Sequence, residues 1–479
     1  MLFNSFSYAL FLPLVFLLYW LPEAFGSHGR AGGKSTWQNA VLLAASYVFY
    51  GAWDWRFAIL IAVTTASSWF SGILIEKNRN RASLICTANI ILNLGILAFF
   101  KYAGFFVESF CTLFGIQADP GVTPLKIILP VGISFYTFQA IGYVIDVKRG
   151  KVAASHNALQ FFAFISFFPQ LVAGPIERAS SLLPQFSAKR QFNYRQAFSG
   201  VGLILWGLFL KIVVADRLAV FVDAAWKNPQ AANGLPALLA VIFFAFQLYT
   251  DFYSYSEIAR GSARLFGMEL MLNFRRPYLS QTFREFWKRW HISLSSWFGD
   301  YVYIPLGGNR RGTARMVLNT FIVFLLSGLW HGASWTFVAW GFLCAVFMFF
   351  PGNLLKKSAG IKVLNPLIVF SLWALSLILF RAATFNDALA MFSSLGFGNA
   401  AAIGNFGLGM QELFFAIGLI ILLCVIEIVC ERWGGSLANR FLASPALLRT
   451  AALVLLALII IFLGRYGIGN DSRFIYFQF

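Results

Sequence analysis

Charge is what this 479-residue chain has least of: Asp, Glu, Lys and Arg together make up 12% of it, against about 25% in an ordinary soluble domain. A water-soluble fold of this length needs more charge to cover its surface, so a soluble enzyme is excluded. Acidic residues are scarcer than basic ones, 19 against 37. The five cysteines (Cys86, Cys111, Cys344, Cys424, Cys430) are scattered without C-x-x-C or metal-ligand spacing. They imply neither a disulfide framework nor a metal site. Histidine occurs four times, and H-E-x-x-H and G-x-S-x-G are absent, so zinc and serine-hydrolase chemistry have no signature here.

What fills the chain instead is apolar. Hydrophobic residues make 59% of it, aromatics 18% with 55 Phe, and the mean hydropathy is +0.72. Apolar runs near 20 residues, separated by short polar stretches, predict an all-α polytopic membrane protein. The expected spans are 6–21, 37–53, 56–75, 82–100, 127–145, 198–215, 236–255, 316–332, 335–351, 364–381, 412–430 and 450–464, giving about 11–13 transmembrane helices within the usual boundary error. The run 158–174 is expected to be re-entrant, and 6–21 to be a retained first helix. With the N-terminus outside, inner loops carry 28 Lys/Arg and outer loops six. That bias predicts both termini on the extracytoplasmic side. The net charge of +18 therefore marks the cytoplasmic face and a lipid surface, with no nucleic-acid partner. No internal repeat is visible, and residues 1–479 read as one domain.

The longest polar stretch, 256–315, contains SQTFREFWKRWHISLSSWFGDYVYIPLGGNRRG at 280–312. Thr282 and Glu285 have capping-box spacing. Phe283, Phe286, Trp287, Trp290, Leu294 and Trp297 fall on one helical stripe, with Arg284, Glu285, Lys288 and Arg289 opposite. This pattern predicts an interfacial amphipathic helix, with Glu285 and Arg289 placed for an i,i+4 pair. His291 lies at the edge of the stripe, where it faces either the headgroups or a cavity. The GGNRRG loop makes Arg310 and Arg311 donor-phosphate candidates, although a plain basic cytoplasmic loop has the same composition.

His331 is 16 residues beyond Arg315 at the end of an apolar run, so it is expected ~24 Å along a helix. An ionisable group inside a span is a functional candidate because burying it is costly. The competing reading is a structural imidazole satisfied by a nearby hydroxyl. Gly332 and Ala333 follow it and are suited to breaking the helix at a cavity. Since His28 and His156 fall in expected loops, His291 and His331 are the chemical pair. Near neutrality, an imidazole can take a proton from a hydroxyl and return it to a leaving group. Asp251 and Glu257 in QLYTDFYSYSEIARG either line a polar cavity or pair with Arg260 or Arg264.

At these motifs the chain resembles the membrane-bound O-acyltransferase family, and within it the alginate O-acetyltransferase group. The resemblance rests on FPQLVAGPIER (168–178), DFYSYSEIARG (251–261), REFWKRWHISLSSW (284–297), DYVYIPLGGNR (300–310), LWHGASWTFVAWG (329–341) and FIYFQF (474–479). Gly299 departs from the group, where a basic residue is expected before Asp-Tyr. The resemblance implies helices around a central tunnel through a bacterial cytoplasmic (inner) membrane. His331 is then the family's essential histidine and His291 the second active-site position. Trp290, Trp330, Asp251, Tyr253 and Glu257 are the tunnel and substrate candidates.

The implied reaction passes an acyl group, expected to be acetyl, from a cytoplasmic donor to a hydroxyl acceptor for exopolysaccharide O-acetylation. The donor, acetyl-CoA or an acyl-carrier thioester, is a substrate; no tightly bound cofactor and no metal are expected. The implied partners are an extracytoplasmic, esterase-like acyltransferase and, for a carrier donor, an acyl carrier protein. In this scheme His331 is the general base, while His291 orients the donor or stabilises the oxyanion; direct transfer and an acyl-histidine intermediate both remain open. D-alanyl transfer to teichoic acid is the nearest alternative. A transporter or flippase is the alternative of another class, disfavoured by the absence of inverted repeats.

Overall fold

The computed structural model describes residues 1–24, 31–116, 128–349, 364–466 and 474–475. Arg30, Lys126, Lys356, Lys357, Lys362 and Arg473 from the orientation count, together with His28 and the last four residues of the terminal motif, lie outside the described residues. Among the described residues every regular element is a helix. Eight helical segments are long and apolar enough to cross a membrane: Phe6–Glu23, Trp55–Lys77, Arg79–Leu113, Tyr194–Lys227, Leu235–Leu265, Thr313–His331, Met410–Leu437 and Ala446–Leu463. The chain is an all-α, multi-pass membrane protein.

Contacts divide the chain into two compact units. The first, residues 1–203 and 259–271, holds α1 (Phe6–Ala24), α2 (Ala31–Gly51), α3 (Trp55–Lys77), α4 (Ala82–Leu113), α5 (Ile133–Lys148), α6 (Ala158–Ser166), α7 (Phe168–Leu171), α8 (Ala179–Ser187) and most of α9 (Tyr194–Leu208). The run expected to be re-entrant is divided between α6 and α7, nine and four residues long, both far short of the ~20 needed to cross. Gln170 explains part of its placement, because its amide donates to Gln139 Oε1 at 3.2 Å and to the Phe164 carbonyl at 2.8 Å. Buried polar groups in an apolar interior need such partners. Tyr8, Tyr19 and Trp20 of α1 bond to Ser262, Phe266 and Leu265.

The second unit, residues 204–258 and 272–479, carries the histidine pair. Its further helices are α10 (Asp216–Lys227), α11 (Leu235–Leu265, shared with the first unit), α12 (Phe283–Trp287), α13 (Ile292–Phe298), α14 (Thr313–His331), α15 (Trp335–Met348), α16 (Asn365–Arg381), α17 (Phe385–Ser394), α18 (Met410–Ala443) and α19 (Ala446–Leu463). Expected span 236–255 is extended by ten residues in α11, which is also the most buried of the crossing helices. It therefore runs through protein while α18 and α19 present their apolar sides outward.

The α14–α15 hairpin is drawn tight by glycine. A Cβ on Gly328 would lie 2.3 Å from the Phe337 carbonyl, and one on Gly341 would lie 2.3 Å from the Phe324 carbonyl. Small residues at such crossings replace the hydrophobic drive that lipid cannot supply.

Between α9 and α10 the seven residues Phe209–Ala215 wind as a π-helix, a form that concentrates at functional positions. Its Ile212 carbonyl accepts the Arg465 amide at 3.0 Å. Lys211 Nζ sits 2.8 Å from Asp216 and 2.5 Å from Asp251, with all three groups largely buried. Asp251 also accepts the Ile475 amide at 2.6 Å, and the Lys211 ammonium lies over the Phe474 ring at 4.6 Å. The terminal peptide is thus tied to a buried ion cluster.

Candidate active site

The 280–298 segment is not one amphipathic helix. Thr282 caps α12 by accepting the Glu285 amide at 3.1 Å, and Glu285 reaches back to the Gln281 amide at 2.9 Å. Arg289 Nε meets Glu285 Oε1 at 2.9 Å, the expected i,i+4 pair. The helix then stops at Trp287, and a turn leads to His291, which has φ 42° and ψ 53°. A left-handed conformation costs a non-glycine residue ~1–2 kcal/mol, and it redirects the chain into α13. Phe283, Phe286, Trp290, Leu294 and Trp297 are consequently buried in protein. The apolar stripe reads as core, and only the partly exposed Trp287 turns toward open space.

His331 is the last residue of α14. Gly332 follows because a Cβ there would fall 2.1 Å from the Phe337 ring. The turn brings His331 against Trp330 at 5.0 Å, Trp340 at 5.2 Å and Phe380 at 5.4 Å between ring centroids. His291 lies edge-on to Phe252 at 4.7 Å and 5.8 Å from Trp330. The two imidazoles, 40 residues apart in sequence, come to 6.3 Å between centroids. His291 is 1% exposed and His331 8%, so His331 is the more accessible of the two. Burial lowers His291 to about 3, which leaves that ring neutral at physiological pH.

The remaining candidates divide. Trp330 touches both histidines. Trp290 is one layer back, on Trp373 at 4.8 Å and Tyr249 at 5.9 Å. Tyr253 stacks on Tyr249 at 5.5 Å, and Glu257 is buried on α11. Asp251 faces Lys211 and Ile475. Asp251 pairs with Lys211, 40 residues upstream, and not with the nearby arginines that its sequence neighbourhood offers. The signal was present: two opposite charges, each inside an apolar run, are expected to find one another.

A cavity of about 590 Å³ is lined by Trp287, Ile292 and Ser327 and by Arg284, Lys288 and Asn309; neither histidine lines it. Ile292 directly follows His291, and Ser327 is one turn before His331. The GGNRRG loop contributes Asn309 to this lining, and the cationic groups lining it are Arg284 and Lys288, not Arg310 or Arg311. Among the described residues no His/Cys/Asp/Glu cluster suits a metal. The arrangement offers two enclosed imidazoles 6.3 Å apart, one of them neutral, and a separate chamber with two cations.

The family model of membrane-bound O-acyltransferases matches residues 147–358, a range containing both histidines and the cavity. The "Probable alginate O-acetylase AlgI" of Pseudomonas aeruginosa is 40% identical over 394 residues, 80% of this chain and 74% of that protein. A "Peptidoglycan O-acetyltransferase" of Helicobacter pylori is 32% identical over 82% of this chain and 80% of its own length. A "Teichoic acid D-alanyltransferase" of Streptococcus thermophilus is 28% identical over 54% of this chain and 66% of its own.

Proposed function

The chain belongs to the membrane-bound O-acyltransferase family, and from that premise we propose that it is the membrane O-acetyltransferase of a polysaccharide-modification system, with His331 as its base. The observation that carries this assignment is the convergence of His331 and His291 at 6.3 Å, with Ile292, next to His291, and Ser327, one turn before His331, lining a cavity that also holds Arg284 and Lys288. The donor is a thioester, acetyl-CoA or an acetylated carrier, whose phosphate meets those two cations. His331 takes the proton of the acceptor hydroxyl as its oxygen attacks the thioester carbonyl. The C–S bond then breaks, the ester forms, and the proton passes to the departing thiolate. His291, neutral and enclosed, donates to the carbonyl oxygen as charge develops on it.

The relatives with acetyl chemistry in their names align over some 80% of this chain, the D-alanyl relative over 54%, which supports acetyl over D-alanyl transfer. The bias of basic residues supports a cytoplasmic-membrane location with both termini outside. An extracytoplasmic acyltransferase is the partner that carries the acetyl group to the sugar.

The test is ester analysis of the surface polysaccharide by mass spectrometry in cells lacking the gene, complemented with wild type or His331→Ala. Acetyl esters are expected with wild type and not with the variant, at equal membrane levels of protein. Wild-type ester content with His331→Ala would remove the base from the scheme, and D-alanyl esters would replace the donor.

A further inference from the structure

His291 holds a conformation that histidine adopts only when its surroundings impose it. Its left-handed turn starts α13, and as the residue at the helix start it supplies no side-chain hydrogen bond to the first-turn amides. Those amides are orphans that a helix must satisfy from elsewhere. Asn273, in the peptide following α11, satisfies two of them. Its carbonyl accepts the Ile292 amide at 2.9 Å, and its Oδ1 accepts the Ser293 amide at 3.3 Å. Its Nδ2 donates to Ser256 Oγ at 3.2 Å. Asn273, Ser256 and Ser293 are all fully buried, so water does not compete for these bonds.

Ser256 and Phe252 are four residues apart on α11 and share a face. Phe252 is the ring that meets the His291 imidazole edge-on at 4.7 Å. One helix face therefore governs the imidazole twice, directly through Phe252 and through the backbone by way of Ser256 and Asn273.

We infer that Asn273 is a positioning residue for the reaction: by capping α13 from outside, it fixes the left-handed turn that sets the His291 ring opposite His331, and Ser256 locks its amide in that role. This inference rests on the acyltransferase reading of the histidine pair. Without Oδ1 the Ser293 amide loses its acceptor, residue 291 relaxes toward the right-handed region, and the imidazole swings from its place. Displacements near 1 Å in a reacting constellation cost on the order of 10²-fold in rate.

The experiment uses the full-length enzyme in detergent, with acetyl-CoA as donor and the extracytoplasmic acyltransferase plus alginate oligosaccharide as the accepting system, followed by thiol release. Asn273→Ala, Ser256→Ala and His331→Ala are compared with wild type. Asn273→Ala is expected to lower kcat per folded molecule by about 10²-fold with donor KM unchanged. Ser256→Ala should act in the same direction by a smaller factor. A purely structural role would lower yield and thermal midpoint yet leave the folded fraction at wild-type kcat, and a binding role would raise KM; either result overturns the inference. If Asn273→Ala does not fold, Ser256→Ala decides by the same two criteria. Wild-type kcat in both variants with an inactive His331→Ala would sink the positioning role alone. Full activity in His331→Ala would sink the acyltransferase site as drawn.

Discussion

Replacing Lys211 by methionine keeps the length of the side chain and deletes one buried positive charge. Its ammonium is 2.8 Å from Asp216 and 2.5 Å from Asp251, and the three side chains are between 2% and 11% exposed. At an effective dielectric near 20, each attraction is on the order of 6 kcal/mol, most of which is offset by desolvating the three groups. Deleting one partner exposes that desolvation uncompensated, so the expected loss is ~3–5 kcal/mol. The damage should reach the end of the chain, since Asp251 also holds the Ile475 amide and Lys211 lies over Phe474. Thermal unfolding in detergent measures the first effect, and proteolysis of a tag placed after Phe479 measures the second. The triple variant Lys211→Met, Asp216→Asn, Asp251→Asn should recover much of the loss, because it leaves no unpaired charge. A single Lys211→Met variant as stable as wild type would mean that the carboxylates are hydrated and the cluster carries no net stabilisation.

Gly332→Ala places a methyl group 2.1 Å from the Phe337 ring, which packs on Phe380 at 4.9 Å and through it on His331 at 5.4 Å. The displaced rings should cut kcat by ~10–10²-fold in a protein that still folds, and Phe337→Leu in the same chain should restore part of it; wild-type kcat in Gly332→Ala would show that these rings do not set the imidazole. Glu177, in the loop before α8, accepts the Met271 amide at 2.6 Å. Burial pushes its carboxyl up to about 8, against the opposing pull of Arg178 and Arg260. The folded state then binds the proton more tightly than the unfolded chain, so stability is full below the unfolded value and falls as pH rises toward 8, by ~1.4 kcal/mol per pH unit in that window. Thermal midpoints of Glu177→Gln and wild type across this range should diverge with pH, the variant gaining on wild type. Parallel curves would place the Glu177 titration outside it.

Hydropathy located all eight helices long and apolar enough to cross among the described residues, because a bilayer demands long apolar runs whatever the tertiary packing, but four further expected spans, 37–53, 127–145, 335–351 and 364–381, are not among those eight. It could not say which helices face lipid. The helix α11 and the helix α18 read alike as apolar stretches, yet α11 is buried along most of its length and α18 along little of it. In lipid both environments are apolar, so no polar face distinguishes them. Periodicity failed for a related reason at 280–298. The stripe from Phe283 to Trp297 has helical spacing throughout, but the chain buries it on both sides of a break at His291. Spacing records which residues are inside, not whether the backbone between them is continuous.

The histidine pair was legible and its support was not, for a physical reason. His331 stands out because an ionisable group in an apolar run is costly, and that cost is visible in one dimension. The left-handed turn at His291 leaves no such mark, since histidine enters that region more often than most residues but still at only a small share of its positions. Its cause is Asn273, which lies 18 residues earlier and whose three polar groups are spent on Ile292, Ser293 and Ser256. A buried amide with every hydrogen bond used locally looks, in sequence, like any asparagine in a loop. The same holds for Phe252, Trp340 and Phe380 around the imidazoles, three rings among many in a chain that is 18% aromatic. Abundance hides function here: where aromatics are scarce, a ring beside a histidine attracts notice, and where they fill the core it is geometry that separates the few holding the site from the many holding the fold.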